Sequence, residues 1–305
     1  MPELDILFLN VHRRYLNVEP NFGGKISMVG LYCDFENVTE NIFLSRHIKE
    51  KFGLPVIAGG SQATALDADF FISSKCDAVV RYEGELTVLE LMNFYLEGVG
   101  ALENILGVSY FSGGKVIKNP ERPLIKNLDA LPFIDADCYI EPKDFYRGLN
   151  LMTGRGCPFH CAFCHEGAHT KMVRLRSVEN VLAEVDAYLE RWGADDELYI
   201  LFTDDTFTLN TERVKKICAG LAERRKNHNF KFFCEGHIHT LYKNPEMISA
   251  LVEGGCVRIQ LGIEAGTAPV LKAYGKNTTP EEIFEVVRLC RDAGIQQICG
   301  NIILG

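Results

Sequence analysis

At 305 residues, 47% hydrophobic and 24% charged, the chain can bury one large core or two ordinary ones, and it reads as a globular, soluble protein. A net charge of −9 argues against the dense basic face of an extended nucleic-acid footprint, so no nucleic acid is expected as a partner. No apolar run approaches the roughly 18 residues of a membrane span and no charged leader opens the chain. Eleven cysteines, several in apparent core segments, fit a reducing compartment, and the expected location is cytoplasmic.

In chain order, strands are expected at 4–11, 26–33, 54–59 and 77–81, then a hairpin through Gly113-Gly114. Helices fit 39–52 and 85–97. The fourteen residues 12–25, with Pro20 and Gly23-Gly24 among them, are too few for a helical crossover, so this module is expected to lack one βα element. Pro120, Pro123, Pro132 and Pro142 then interrupt any long helix. The expected organisation is an α/β domain over 1–118, a proline-containing linker over 119–148 and a second α/β domain over 149–305.

The second domain alternates strands and helices. Strands are expected at 149–153, 197–203, 230–238, 257–264 and 296–304. Between them, Ser177 caps a helix to about residue 192, and a second helix runs from 211 to about 226. Asn244-Pro245-Glu246 opens a third, stopped at Gly254-Gly255, and Thr279-Pro280 opens a fourth, stopped at Gly294. Such βα alternation predicts a parallel sheet or barrel with active groups at the C-terminal strand ends. In 257–264 the residues Arg258, Gln260 and Glu264 share one face and the aliphatic residues the other; Glu235, His237 and His239 likewise share a face. One polar and one apolar face per strand suggests helices outside and a polar lumen inside.

The segment Gly156-Cys157-Pro158-Phe159-His160-Cys161-Ala162-Phe163-Cys164 follows the first of these strands. It offers three thiols within eight residues, at Cys-x3-Cys-x2-Cys spacing. A closed tetrahedral metal site wants four ligands, whereas a cubane iron–sulfur cluster held by three leaves one iron open to a small molecule. The competing reading is a zinc knuckle completed by His160, His165 or His169.

This nonapeptide, with Phe163 just before the third cysteine, resembles the signature of the radical S-adenosylmethionine (SAM) enzymes. The resemblance implies a [4Fe–4S] cluster on Cys157, Cys161 and Cys164, SAM chelated to the open iron, and a 5′-deoxyadenosyl radical that abstracts hydrogen from a substrate the sequence does not identify. It also implies a flavodoxin- or ferredoxin-type electron donor. Phe202-Thr203-Asp204-Asp205-Thr206-Phe207, Cys234-Glu235-Gly236-His237 and Gly262-Ile263-Glu264-Ala265-Gly266 are similar to strand ends of that family. By that analogy Asp204 and Asp205 lie near the SAM amino group, Glu235 and Glu264 near its ribose or methionine end, and the Phe163 backbone near adenine. His237 stands where relatives usually have arginine and takes the carboxylate contact in this analogy.

In the first domain, the segment from Pro55 through Gly59-Gly60 to Thr64 and Val79-Val80-Arg81-Tyr82-Glu83-Gly84 resemble the Rossmann-like, cobalamin-binding-type domain that precedes many radical SAM domains. Gln62 replaces a usual histidine and Tyr82 a usual glycine. The resemblance implies cobalamin (B12) at Gly59 and Gly60, and methyl transfer to an unactivated carbon. Without cobalamin it implies a radical rearrangement, cyclisation or epimerisation. A separate reading is a catalytically incomplete subunit that keeps the cluster motif and needs a partner to complete its barrel. Because the family usually builds six βα units of about 30 residues each, the expected architecture is a TIM-like barrel truncated after its fifth strand. Its open edge is the place expected for a partner or self-association.

Overall fold

The computed structural model describes residues 26–66, 68–134, 148–164, 172–193 and 197–304. They divide into two compact units, one ending at Ile125 and the other beginning at Lys126.

The first unit is a five-stranded sheet in the order β1 (Val29–Tyr32), β2 (Val56–Gly59), β3 (Ala78–Val80), β4 (Val108–Ser112), β5 (Lys115–Lys118). The first three strands are parallel; β4 and β5 run antiparallel as the hairpin expected at Gly113-Gly114. Strand alternation assigns the core residues. Val56, Ala58 and Val79 pack with Cys33, Ala63 and Phe70 on one face, while Ile57, Ala78 and Val80 pack with Leu91, Ile105 and Val108 on the other. A sheet buried on both faces needs continuous apolar strands, and β2 and β3 have them.

Helices α1 (Val38–Phe52) and α4 (Glu85–Glu97) were legible in sequence, but α2 (Ser61–Leu66) and α3 (Ala68–Ser74) were not. Both are shorter than the two to three turns over which periodicity becomes distinct. The expected strand 4–11 and the short connection after it lie outside the described residues.

Both ends of the expected linker are tied down. Asn119 donates to the Leu102 and Ile105 carbonyls at 2.6 and 2.8 Å, and Arg122 reaches Thr87 and Glu90, so 119–122 belong to the first unit. In the second unit Leu128 is buried and the Asp129 carboxylate accepts from the Ser177 N–H at 2.9 Å. Residues 135–147 lie outside the described residues.

The second unit is built on five parallel strands: β6 (Gly148–Leu151), β9 (Leu198–Phe202), β10 (Phe230–Gly236), β11 (Cys256–Glu264) and β12 (Gln297–Ile302). Each pairs with its neighbour in sequence. This order winds one way without a reversal, as in a barrel and unlike a doubly wound sheet. A short antiparallel pair, β7 (Gly154–Arg155) and β8 (Arg174–Leu175), follows β6. Helices α5 (Val178–Trp192), α6 (Thr211–Arg224), α7 (Ile238–Lys243), α8 (Glu246–Gly254), α9 (Ala268–Ala273) and α10 (Pro280–Asp292) complete the unit.

Leu149, Leu151, Ile200, Phe202, Phe230, Phe232, Ile259 and Leu261 form its core with Val181, Val185, Ile217, Leu251 and Val286. Lys231, Phe233 and Glu235 keep partial exposure on the opposite face of β10, as expected for a lumen side.

Three helix starts follow their caps: Ser177 accepts from Asn180 N–H, Asn210 from Arg213 N–H and Thr279 from Glu282 N–H. Asn244 does not cap α8; its amide donates back to the Thr240 carbonyl at 2.9 Å and closes α7, a helix the sequence did not announce. The third strand is correspondingly shorter than expected. It ends at Gly236, so His237 and His239 do not continue the face of Glu235: His237 is the residue before α7 and His239 lies within it.

Among the described residues, no helix is long and apolar enough to cross a membrane.

Candidate active site

The C-terminal end of β6 leads into the cysteine loop through Met152 and Thr153, and the polar groups of this entry are engaged. The Thr153 N–H and Oγ1 donate to the two carboxylate oxygens of Asp204 at the end of β9. Arg213 on α6 donates to Thr153 Oγ1 at 3.0 Å and to its carbonyl at 2.8 Å, and Arg176 donates to the Met152 carbonyl at 2.9 Å. Asp204 is 5% exposed. Burial raises its pKa, and the Thr153 bonds and the Arg213 charge counteract that rise. Both Asp204 oxygens are turned to Thr153, so the carboxylate braces the loop entry. Asp205 is the member of the pair that reaches the loop, accepting from the Gly156 N–H at 3.2 Å.

Cys157, Cys161 and Cys164 are all partly exposed on one loop at the C-terminal end of the first strand. The Cys157 thiol lies 3.9 Å from Thr206 Oγ1, and the Cys164 N–H donates to the Cys161 carbonyl at 3.1 Å. The Ala162 N–H donates to the Tyr274 carbonyl at 2.8 Å, and Phe163 meets the Tyr274 ring edge-on at 5.5 Å. Gly275 has φ +70°, and a Cβ there would stand 2.8 Å from the His160 carbonyl oxygen. Glycine is therefore required on both conformational and steric grounds for this turn to back the cysteine loop.

Burial raises the pKa of the Cys161 thiol; Lys276 lowers it, and Cys164, Cys157 and Glu264 raise it. Cys157 and Cys164 thus both act on the Cys161 thiol. Among the described residues, no three His, Cys, Asp or Glu side chains gather around a single-ion position. Three part-exposed thiols on one short loop match the ligand count of a [4Fe–4S] cluster that keeps one iron open. His165 and His169 lie outside the described residues.

Acidic groups face the loop from the neighbouring strands. Glu235 on β10 accepts from the Gln260 amide at 3.0 Å, and its pKa is raised by burial, then by Asp205 and Glu264. Glu264 ends β11 with φ +61°, outside strand geometry, and the β11–β12 register shifts there. Its carbonyl accepts from the Ile303 N–H at 3.0 Å, while its carboxylate pairs with Lys276 at 3.3 Å. Both side chains of this pair are about nine-tenths buried, at 10% and 9% exposure. Sequence reasoning missed Lys276, whose only local signal was a Gly-Lys step in the loop after the fourth strand.

His237 is buried, its ring stacked on Phe159 of the cysteine loop, and its Nδ1 has no hydrogen-bond partner among the described residues. Burial first, then Lys276 and His239, push its pKa down to about 3. The imidazole is therefore neutral at physiological pH and cannot replace an arginine as a cation.

Gly59 and Gly60 lie in the first unit. Gly59 ends the parallel strand β2, and Gly60 follows with φ +104°. The Gly59 carbonyl accepts from the Cys33 N–H at 2.7 Å, and the Cys33 carbonyl accepts from Gln62 N–H at 3.2 Å. Tyr82, after β3, also has positive φ, +61°.

Residues 151–305 match the radical SAM superfamily, and the chain belongs to that superfamily. It is similar to an uncharacterized methyltransferase of Pyrococcus horikoshii, with 34% identity over 88% of this chain and 55% of that protein. It is 28% identical to the 4′-phospho-dehydrooxetanocin synthase of Priestia megaterium over 72% of this chain and 32% of the synthase. The chain thus spans about half or less of these curated relatives.

Among solved structures, the cobalamin-dependent S-adenosylmethionine radical enzyme OxsB with aqua-cobalamin and S-adenosylmethionine bound superposes with a TM-score of 0.74. That match has 24% identity and covers 91% of this chain and 41% of OxsB. The radical S-adenosylmethionine methyltransferase TsrM of Kitasatospora setae, with cobalamin and a [4Fe–4S] cluster bound, also gives 0.74, at 18% identity over 90% of this chain and 58% of TsrM. At these identities the likeness is one of fold.

Proposed function

We propose that this chain carries the cluster, SAM and cobalamin modules of a cobalamin-dependent radical SAM methyltransferase acting on an unactivated carbon. The observation that carries the reading is the set of three part-exposed thiols on one braced loop at the C-terminal end of the first strand of a sequentially wound parallel sheet. When bound, the cluster supplies the electron that cleaves SAM to methionine and a 5′-deoxyadenosyl radical, and cobalamin carries a methyl group.

The protein residues have separable roles. Cys157, Cys161 and Cys164 hold the cluster. Asp204, Arg213 and Arg176 fix the loop entry, and Tyr274 and Gly275 support the loop from behind. Asp205, Glu235 and Glu264 form an acidic rim suited to the amino group and ribose hydroxyls of SAM, and the Phe163 backbone borders adenine. We read the five strands as an arc of a radical SAM barrel and the first unit as a cobalamin-binding-type domain. The corrin would approach at Gly59 and Gly60, at the carboxyl end of a parallel strand, the end at which open α/β sheets bind ligands. The fold likeness to OxsB extends over 91% of the chain, which supports including the first unit. A flavodoxin- or ferredoxin-type protein would deliver the electron.

The test is anaerobic reconstitution followed by spectroscopy and product analysis. The expected results are a broad absorption near 400 nm, formation of 5′-deoxyadenosine under reduction, and separate corrin bands after incubation with hydroxocobalamin. Zinc as the only bound metal would overturn the cluster assignment. An active cluster with no saturable cobalamin binding would move the reading to cobalamin-independent radical chemistry.

A further inference from the structure

We propose that Arg258 receives an oxyanion, the carboxylate or phosphate group of the substrate, on the sheet face opposite the helix-packed core; the substrate role rests on the proposed function above. A β-bulge puts the residue there. Phe232 pairs with Cys256 and both turn to the core, yet the next residue, Phe233, pairs with Arg258. Val257 is the extra residue. Without the bulge, strand alternation would set Val257 beside Phe233 and turn Arg258 into the core. The Cys256 thiol donates to the Arg258 carbonyl at 3.3 Å and spans the bulge. A bulge gives up ladder pairing and re-aims a side chain, and here that side chain is a cation.

The re-aimed guanidinium has no counter-ion among the described residues. Its Cζ lies 4.7 Å from the centre of the Phe233 ring, and its Nε is buried without a hydrogen-bond partner. Neighbouring cations are engaged: Lys231 pairs with Glu197 at 2.5 Å and Lys276 with Glu264 at 3.3 Å. A guanidinium offers five N–H donors in one plane matched to a carboxylate or phosphate, and the ring beneath it holds that plane. The row continues through Gln297 on β12, opposite Arg258, and through Leu201 on β9, opposite Phe233. It therefore suits a ligand with an anionic head and an apolar body. Two residues along β11, about 7 Å, separate Arg258 from Gln260, whose amide donates to Glu235 of the acidic rim. A substrate held by its acidic group at Arg258 would extend from there toward the rim where SAM is proposed to bind.

The probes are phenylacetate, its neutral counterpart phenylacetamide and inorganic phosphate, titrated calorimetrically into wild-type, Arg258→Met and Arg258→Lys proteins. Wild type should bind an oxyanion saturably and phenylacetamide about tenfold or more weakly, the tighter oxyanion naming the head group. Arg258→Met should lose about tenfold or more of the oxyanion affinity, the value of a charge-assisted hydrogen bond, and Arg258→Lys should recover part of it. Because the arginine lacks a counter-ion, an apolar chain over Phe233 should leave the urea midpoint of Arg258→Met unchanged or raise it. No saturable oxyanion binding by wild type, or equal affinity in Arg258→Met, would overturn the assignment. A lowered midpoint in that variant would do the same by making Arg258 a structural cation. Oxyanion binding needs neither cluster nor SAM, so the two readings fail separately. SAM cleavage without oxyanion binding removes this inference alone, whereas oxyanion binding by reconstituted protein that cannot cleave SAM removes the proposed function and the substrate role with it.

Discussion

The imidazole of His237 lies face to face on the ring of Phe159, with centroids 3.7 Å apart and planes 6° from parallel. The contact joins the residue after β10 to the middle of the cysteine loop, and such ring pairs contribute about 0.5–1.5 kcal/mol beyond the area they bury. A neutral imidazole can stack there; a charged one would be buried without a partner for its Nδ1–H.

That neutrality predicts an acid dependence. The folded protein keeps His237 unprotonated down to about pH 3, whereas the unfolded chain takes up the proton near 6.5. Stability from this source is complete above pH 6.5 and is lost as pH falls toward 3, at up to about 1.4 kcal/mol per pH unit. His237→Phe retains a stacking ring and has no proton to gain. Urea midpoints measured between pH 7 and 4 should therefore fall more steeply for wild type than for His237→Phe. Parallel curves would show that the imidazole is solvated in solution.

Cys161→Ala should leave the fold intact and abolish both the cluster and SAM cleavage. Two thiols remain on the loop, too few to hold a cubane with one open iron. Iron and sulfide content, with 5′-deoxyadenosine assayed by chromatography, checks the outcome. A Cys218→Ala control, at a buried core thiol, should retain the cluster. Full iron content in Cys161→Ala would transfer ligation elsewhere.

Arg213→Met removes the donor to both the hydroxyl and the carbonyl of Thr153 and takes the nearby cation from buried Asp204. The expected loss is about 2–3 kcal/mol in chemical denaturation, the cost of leaving buried acceptors unpaired. Because the loop entry loosens as well, cluster loading should fall in parallel with stability. Loss of stability without any change in loading would separate the strut from the site.

At Gly60, φ is +104° and a Cβ would stand 2.4 Å from the Cys33 carbonyl oxygen. Gly60→Ala therefore strains the backbone and displaces β1, at a cost of about 1–3 kcal/mol. Hydroxocobalamin titration should show saturable binding by wild type and none by this variant at the same protein concentration. Retained binding would place the corrin away from this turn.

Local chemistry made much of the fold legible in the sequence. Ser177 and Thr279 announce helices because a capping side chain acts within three residues of itself, and the βα alternation follows from periodicity. The three cysteines were legible for the same reason, since one loop carries them all. What was not legible depends on distant parts of the chain. The Glu-x-His-x-His pattern reads as a continuing strand, yet the backbone turns at His237 into α7, where Thr208 accepts the His237 N–H at 2.9 Å. Asp204 and Asp205 are adjacent and chemically alike; only the position of Thr153 across the sheet separates a strut from a loop contact. Tyr82 shows the converse. Its replacement of a usual glycine marked a special position, and the left-handed φ there supplies the reason.

The turn after α9 sets a limit on length variation. Tyr274 offers a carbonyl, Gly275 an absent side chain and Lys276 an ammonium, each aimed at a different neighbour from consecutive positions. Adding or deleting one residue would misalign all three together, whereas a substitution disturbs one. Homologous chains can therefore vary this turn in composition more readily than in span, and tolerated insertions should fall after Lys276, where Asn277 and Thr278 lead to the cap of α10.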